Sequence, residues 1–137
     1  MEINFPVEFL VHGTPVSFQA RRTAAKRQWR ERVKAAIRAI LPVPSIPAVG
    51  AISATLYYFP SEEMQGDVDN IVKLVLDALC AEIYHDDRQV ERVVVQKFEP
   101  GNVFIFGNPS NTLLDAITGS TPVLYVRISN NPLEDLK

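Results

Sequence analysis

Cysteine and histidine are scarce in this chain, and their scarcity narrows the chemistry first. A single cysteine among 137 residues excludes an internal disulfide and fits a reducing compartment. Together with two histidines, His12 and His85, it cannot make a usual zinc site. No Ser-His-Asp or Cys-His arrangement is signalled, and none of the six glycines belongs to a phosphate-cradling motif. No apolar run is long enough for a transmembrane helix, and the opening MEINFPVEFLVHG has no positive n-region. A cytoplasmic protein is expected, with no membrane partner and no organic cofactor. Internal repeats and low-complexity tracts are missing too. With 47% hydrophobic and 22% charged residues, the composition is that of one globular domain spanning residues 1–137, long enough to bury a core.

Acid is nearly missing from residues 21–38. This segment carries Arg21, Arg22, Lys26, Arg27, Arg30, Arg32, Lys34 and Arg38, eight of the fourteen basic residues, against Glu31 alone. The formal net charge of −2 argues against a nucleic-acid partner, but this local asymmetry is the footprint expected of one. A solvated helix face is the bland alternative. With so little interleaved acid, few intrahelical pairs are available to support it.

Hydrophobic periodicity gives the order of elements. Phe5–Val11 is β-rich, and Gly13, Thr14 and Pro15 break it before an extended piece at Val16–Gln19. From about Thr23 to Leu41, Trp29, Val33, Ala36, Ile37 and Ile40 recur at helical spacing, with Trp29 assigned to the core. Three prolines in residues 42–50 end that helix. Ala51–Phe59 is a strand, and Val90–Phe98 is another, whose apolar centre suggests an interior place in the sheet. Val103–Phe106 is a candidate short strand, Ser110 a cap for a helix through Ile117, and Val123–Ile128 a last strand. The closing NNPLEDLK is expected to fray. Alternation of strands and helices predicts an α/β (α+β) domain, a single-layer mixed β-sheet flanked by helices.

Residues 66–90, GDVDNIVKLVLDALCAEIYHDDRQV, hold five aspartates beside strongly apolar sequence. At about 100° per residue, Asp69, Asn70, Lys73, Asp77 and Cys80 fall in one narrow arc, and Ile71, Val72, Leu74, Val75, Leu76, Ala78 and Leu79 fill most of the rest. The helix should be largely buried with one polar stripe. Asp69 or Asn70 can serve as its N-cap, favoured by the helix dipole. Capping accounts for one aspartate better than for two, and leaves Asp86 and Asp87 unexplained.

Asp67 and Asp69 at a helix start, with Asp87 just before a later strand, can meet at one edge of the sheet. Such a set suits a hard divalent cation, which can activate water and neutralise charge on a phosphodiester. Lys73 on the same stripe is placed to hold the attacking water or to stabilise developing negative charge, and Asp77 to orient it. An EF-hand fails, because its fifth, sixth and twelfth positions counted from Asp67 would be Ile71, Val72 and Ala78.

Asp67-Val68-Asp69-Asn70, Lys73, Asp77-Ala78-Leu79 and Asp86-Asp87-Arg88-Gln89-Val90 resemble the RusA-like family of Holliday junction resolvases. That family's signature is DxDN, a lysine three residues on, DxL, and a later DD followed closely by an apolar residue. The close match covers about a fifth of the chain. The resemblance implies a homodimeric, bacterial or phage-encoded endodeoxyribonuclease that uses Mg²⁺ or Mn²⁺ to resolve four-way DNA junctions by paired symmetric nicks, in recombination and repair. It implies that Asp67, Asp69 and Asp87 bind the metal, that Lys73 is catalytic with them, and that Asn70, Asp77 and Asp86 support them. Arg21, Arg22, Lys26, Arg27, Arg30 and Lys34 would hold DNA phosphates. Two other readings compete with this one. One is a non-catalytic branched-DNA-binding module of the same fold; the other is a structural protein whose aspartates merely cap a helix.

Overall fold

A computed structural model describes residues 1–134 and 136. Four strands form one mixed sheet: β1 (Val7–His12), β2 (Ile52–Phe59), β3 (Val90–Lys97) and β4 (Val123–Ser129), in the order β1-β4-β2-β3. β4 runs antiparallel to both neighbours, while β2 and β3 are parallel. Parallel neighbours need a crossover. Here it comprises a loop, a 3₁₀ turn (Val68–Ile71), helix α2 (Val72–Leu79) and a second 3₁₀ turn (Asp87–Gln89). Helix α1 (Thr23–Arg38) lies beside α2, and α3 (Asn111–Thr118) packs against β1 and β4. This is the flanked mixed sheet that the alternation of elements predicts.

Strand periodicity sorts the core. One row runs Phe9, Val126, Leu56 and Val95 across the four strands, and the next runs Val11, Leu124, Tyr58 and Lys97. Phe9, Val11, Leu56, Tyr58, Leu124 and Val126 are buried together with Trp29, Val33 and Ile37 of α1 and Leu74, Val75, Ala78 and Leu79 of α2. Trp29 is in the core, as its spacing predicts. Cutting a fully buried side chain such as Leu56 back to alanine costs about 2–5 kcal/mol at sites of this kind. On the opposite face, Leu113 and Ala116 of α3 join Phe59, Val123 and Tyr125, with Tyr57, Phe98, Phe104 and Phe106 packed around them.

Several expectations are corrected. β3 is an edge strand, not an interior one, so Val93 ends a core row yet stays 42% exposed. Val103–Phe106 forms no strand; Phe104 and Phe106 turn into the aromatic cluster while Val103 and Ile105 point outward. Val16–Gln19 is not extended sheet but leads into a turn in which Ala20 N–H donates to Ser17 O at 3.0 Å. α1 stops at Arg38, three residues before Leu41. Residues 130–134 do not fray. Arg127 meets the Glu134 carboxylate at 2.5 Å, and Arg92 Nη1 donates to Glu134 O at 2.8 Å. Asp135 and Lys137 lie outside the described residues. The cap at Ser110 is as expected, its Oγ accepting from Leu113 N–H at 3.1 Å. Among the described residues no helix is long and apolar enough to cross a membrane.

Candidate active site

The crossover carries every acidic residue that the sequence singles out. Asp67 sits in extended conformation after Gly66, whose φ of +81° lies in the left-handed region that glycine occupies without steric cost. The chain then enters the 3₁₀ turn with Asp67 at the capping position, and no side chain makes a capping hydrogen bond there. Neither Asp69 nor Asn70 is therefore the N-cap; both lie inside the turn, ahead of α2. The Asp67 and Asp69 carboxylates are exposed, and that of Asp67 makes no capping hydrogen bond. Beside them a cleft of about 280 Å³ is lined by Tyr58, Met64, Gly66, Asp67 and Ile71, among others.

α2 has the distribution that the wheel predicts. Leu74, Val75, Ala78 and Leu79 are buried, while Lys73 is exposed and Asp77 half-buried. Lys73 Nζ donates to Asp77 Oδ1 at 2.8 Å, one turn along, and to Asp87 Oδ2 at 3.0 Å across the crossover. These two carboxylates, Asp77 first, raise the Lys73 pKa above the ordinary lysine value, so at neutral pH the group is a fixed cation rather than a proton acceptor. Its chemistry is electrostatic. It can stabilise negative charge on a phosphate oxygen, and it cannot act as a base without first losing two ion pairs.

Asp87 is held by its neighbours. Asp86 caps the second 3₁₀ turn, its Oδ1 accepting from Arg88 N–H at 2.9 Å, and that bond holds its pKa below the ordinary aspartate value. Gln89 completes a capping box, its Oε1 accepting from Asp86 N–H at 2.9 Å. The D-x-x-Q spacing of a capping box is present in the sequence at Asp86–Gln89. Tyr84, fully buried, donates its hydroxyl to Leu76 O at 2.6 Å and pins the end of α2 beneath the site. Burial, then the Asp87 and Asp86 carboxylates, push the Cys80 thiol pKa up and so lower its thiolate fraction.

Lys73 thus joins Asp77 and Asp87, while Asp67 and Asp69 share the first turn. Asn70 ties that turn to the chain ahead of α1, its backbone oxygen accepting from Phe18 N–H at 2.9 Å. Among the described residues, no three His, Cys, Asp or Glu side chains are grouped closely enough to hold a metal. In kind, three exposed carboxylates are the donors a hard divalent cation takes.

The basic segment divides in two. Arg38 is paired with Glu82, Lys34 with Glu31 at 3.7 Å, and Arg32 Nη1 donates to His12 O at 3.1 Å. Arg21, Arg22 and Arg27 are exposed, Arg30 is partly so, and Lys26 lies 5.5 Å from the Phe18 ring centroid. Phe18, which carries Lys26 over its ring, is itself bonded through its N–H to Asn70 O in the Asp67–Asn70 turn.

A family model described as endodeoxyribonuclease RusA matches residues 13–106, from the turn after β1 through the aromatic segment beyond β3. A comparison with curated proteins found no match.

Proposed function

This chain belongs to the RusA family of endodeoxyribonucleases, and from that membership we propose that it resolves four-way DNA junctions by paired, symmetric, metal-dependent nicks. Supporting this most directly is the Lys73 ammonium, held between Asp77 and Asp87 on the same crossover that carries Asp67 and Asp69. We assign Asp67, Asp69 and Asp87 as the residues that would hold Mg²⁺ or Mn²⁺. When bound, such a cation supplies charge neutralisation at the phosphodiester and an activated water. The protein's own groups then divide the remaining work. Lys73 offers a permanent positive charge to the phosphate oxygen on which negative charge develops. Asp77 keeps that cation on the stripe, and Asp86 shapes the turn that carries Asp87. Arg21, Arg22, Lys26, Arg27 and Arg30 grip backbone phosphates of a junction arm. We further propose a two-fold homodimer, because two symmetry-related strands need two symmetry-related sites. Its setting would be the bacterial cytoplasm, in recombination and repair.

Incubation of a synthetic four-way junction with the protein and Mg²⁺ should give paired nicks that Asp69→Asn abolishes; equal behaviour of wild type and variant refutes the assignment. A non-catalytic branched-DNA-binding module remains the second reading. It draws on one observation, the want of a compact three-carboxylate group among the described residues. It predicts junction binding that persists in EDTA and no cleavage with any divalent cation.

A further inference from the structure

Gln89 makes four side-chain hydrogen bonds, which use the whole capacity of a primary amide. Its Oε1 accepts from His85 N–H at 2.7 Å and Asp86 N–H at 2.9 Å. Its Nε2 donates to Ala48 O at 2.8 Å and Gly50 O at 2.9 Å. A capping box needs only one of these bonds, the return to the N-cap N–H. Of the other three, the bond from His85 N–H is local to the turn, and the two from Nε2 fasten the turn that carries Asp87 to the loop between α1 and β2, some forty residues earlier in the chain. That loop is itself anchored, with Ala48 N–H donating to Ile83 O at 2.7 Å. Just beyond Gln89, Val90 pairs with Ile52 at the point where the β2–β3 register shifts.

Asp87 lies between the capping Asp86 and Gln89. Its side chain takes no part in the cap and reaches Lys73 at 3.0 Å. We propose that Gln89 is a positioning residue for the nuclease chemistry: by clamping the Asp86–Gln89 turn to the Ala48–Gly50 loop, it sets where the Asp87 carboxylate meets Lys73. The proposal rests on the reading of Asp87 and Lys73 as site residues. Displacements on the order of 1 Å at a reacting centre cost about a hundredfold in rate, so the clamp should act on turnover and not on DNA affinity, which the cations of α1 supply.

The test uses Gln89→Ala and Gln89→Glu. The second keeps an oxygen for the His85 and Asp86 N–H groups but sets a carboxylate oxygen against the Ala48 and Gly50 carbonyls, so it releases the loop alone. Val33→Ala, a buried change in α1, serves as the stability control, and all assays run well below the melting temperature. Single-turnover cleavage of a four-way junction with Mg²⁺ should fall roughly ten- to a hundredfold for both Gln89 variants, with junction affinity in EDTA unchanged and Val33→Ala near wild type. Independently, crystal structures of the variants should show the Asp87 carboxylate displaced from Lys73, by about 1 Å, in both Gln89 variants and not in Val33→Ala. Cleavage no lower than that of Val33→Ala, or an Asp87–Lys73 contact unchanged from wild type, overturns the proposal. If wild type makes no nicks with any divalent cation, the nuclease assignment fails instead, and the position of Asp87 in those structures still decides whether Gln89 sets the Asp87–Lys73 contact.

Discussion

Replacing Lys73 by methionine separates what the ammonium does for the fold from what it does for chemistry. The lysine makes two ion pairs at 2.8 and 3.0 Å, with side-chain exposures of 46% for Lys73, 31% for Asp77 and 50% for Asp87. Solvent-exposed pairs are worth about 0.2–1 kcal/mol each. Losing both should therefore cost about 1 kcal/mol, which for a domain of this size is a fall of about 4 °C in melting temperature. Loss of a charge that stabilises the transition state costs far more, about 10²–10³ in rate. Metal binding should move the other way. Lys73 competes with any cation for Asp87, and a unit charge about 4 Å away is worth about 1 kcal/mol in water and twice that against a divalent ion. Mn²⁺ affinity should therefore rise by roughly 5- to 30-fold in Lys73→Met. Calorimetric titration with Mn²⁺, thermal melts and single-turnover cleavage of a four-way junction measure the three quantities. A variant that cleaves like wild type, or binds Mn²⁺ no more tightly, refutes the reasoning.

Other outcomes follow from the same geometry. Arg21→Ala combined with Arg22→Ala should flatten the salt dependence of junction binding by about two contacts, a change in log–log slope of about 1.8, whereas Arg38→Ala, already neutralised by Glu82, should leave it alone; fluorescence anisotropy from 50 to 200 mM salt decides. Gly66→Ala places a Cβ in open space but forces a left-handed backbone on alanine, so it should cost about 1–2 kcal/mol in urea denaturation with no steric component. Arg127 holds the Glu134 pKa below the ordinary glutamate value. A depressed carboxyl contributes stability above its unfolded value of about 4.3 and loses it as pH falls through the folded one. Thermal melts between neutral and strongly acid pH should therefore show a weaker acid-side fall for Glu134→Gln than for wild type.

What was legible in the sequence is what periodicity controls. The α2 stripe could be read because burial of Leu74, Val75, Ala78 and Leu79 leaves Lys73 and Asp77 on the one remaining face, at the i, i+4 spacing that makes an ion pair. Partnership was harder to read. Val93-Val94-Val95 has the pattern of an interior strand, but at a sheet edge each face is covered only in part, and the same three valines serve a strand with one neighbour. Val103–Phe106 has strand propensity, and what decides its conformation is packing of Phe104 and Phe106 against Phe98 rather than pairing with a strand. The 3₁₀ start at Val68 was hidden because Asp and Asn favour caps of either helix type. Arg127 and Glu134 meet only because residues 130–134 fold back over β4, a path that no local propensity encodes.

The site shows the same division, and it bears on how the catalytic groups are held. Residue identity marks Asp67, Asp69, Lys73 and Asp87 because charge beside apolar sequence needs a reason. The neutral residues that position those groups leave no such mark. Tyr84 is a buried aromatic like any other until its hydroxyl is seen on Leu76 O, and Gln89 is one glutamine until its amide is seen on four backbone groups. Both bond to main chain, so their partners need no particular side chains and cannot be found by looking for complementary residues. The acidic groups of this site are therefore readable one by one, while their arrangement depends on backbone contacts that only the folded chain brings together.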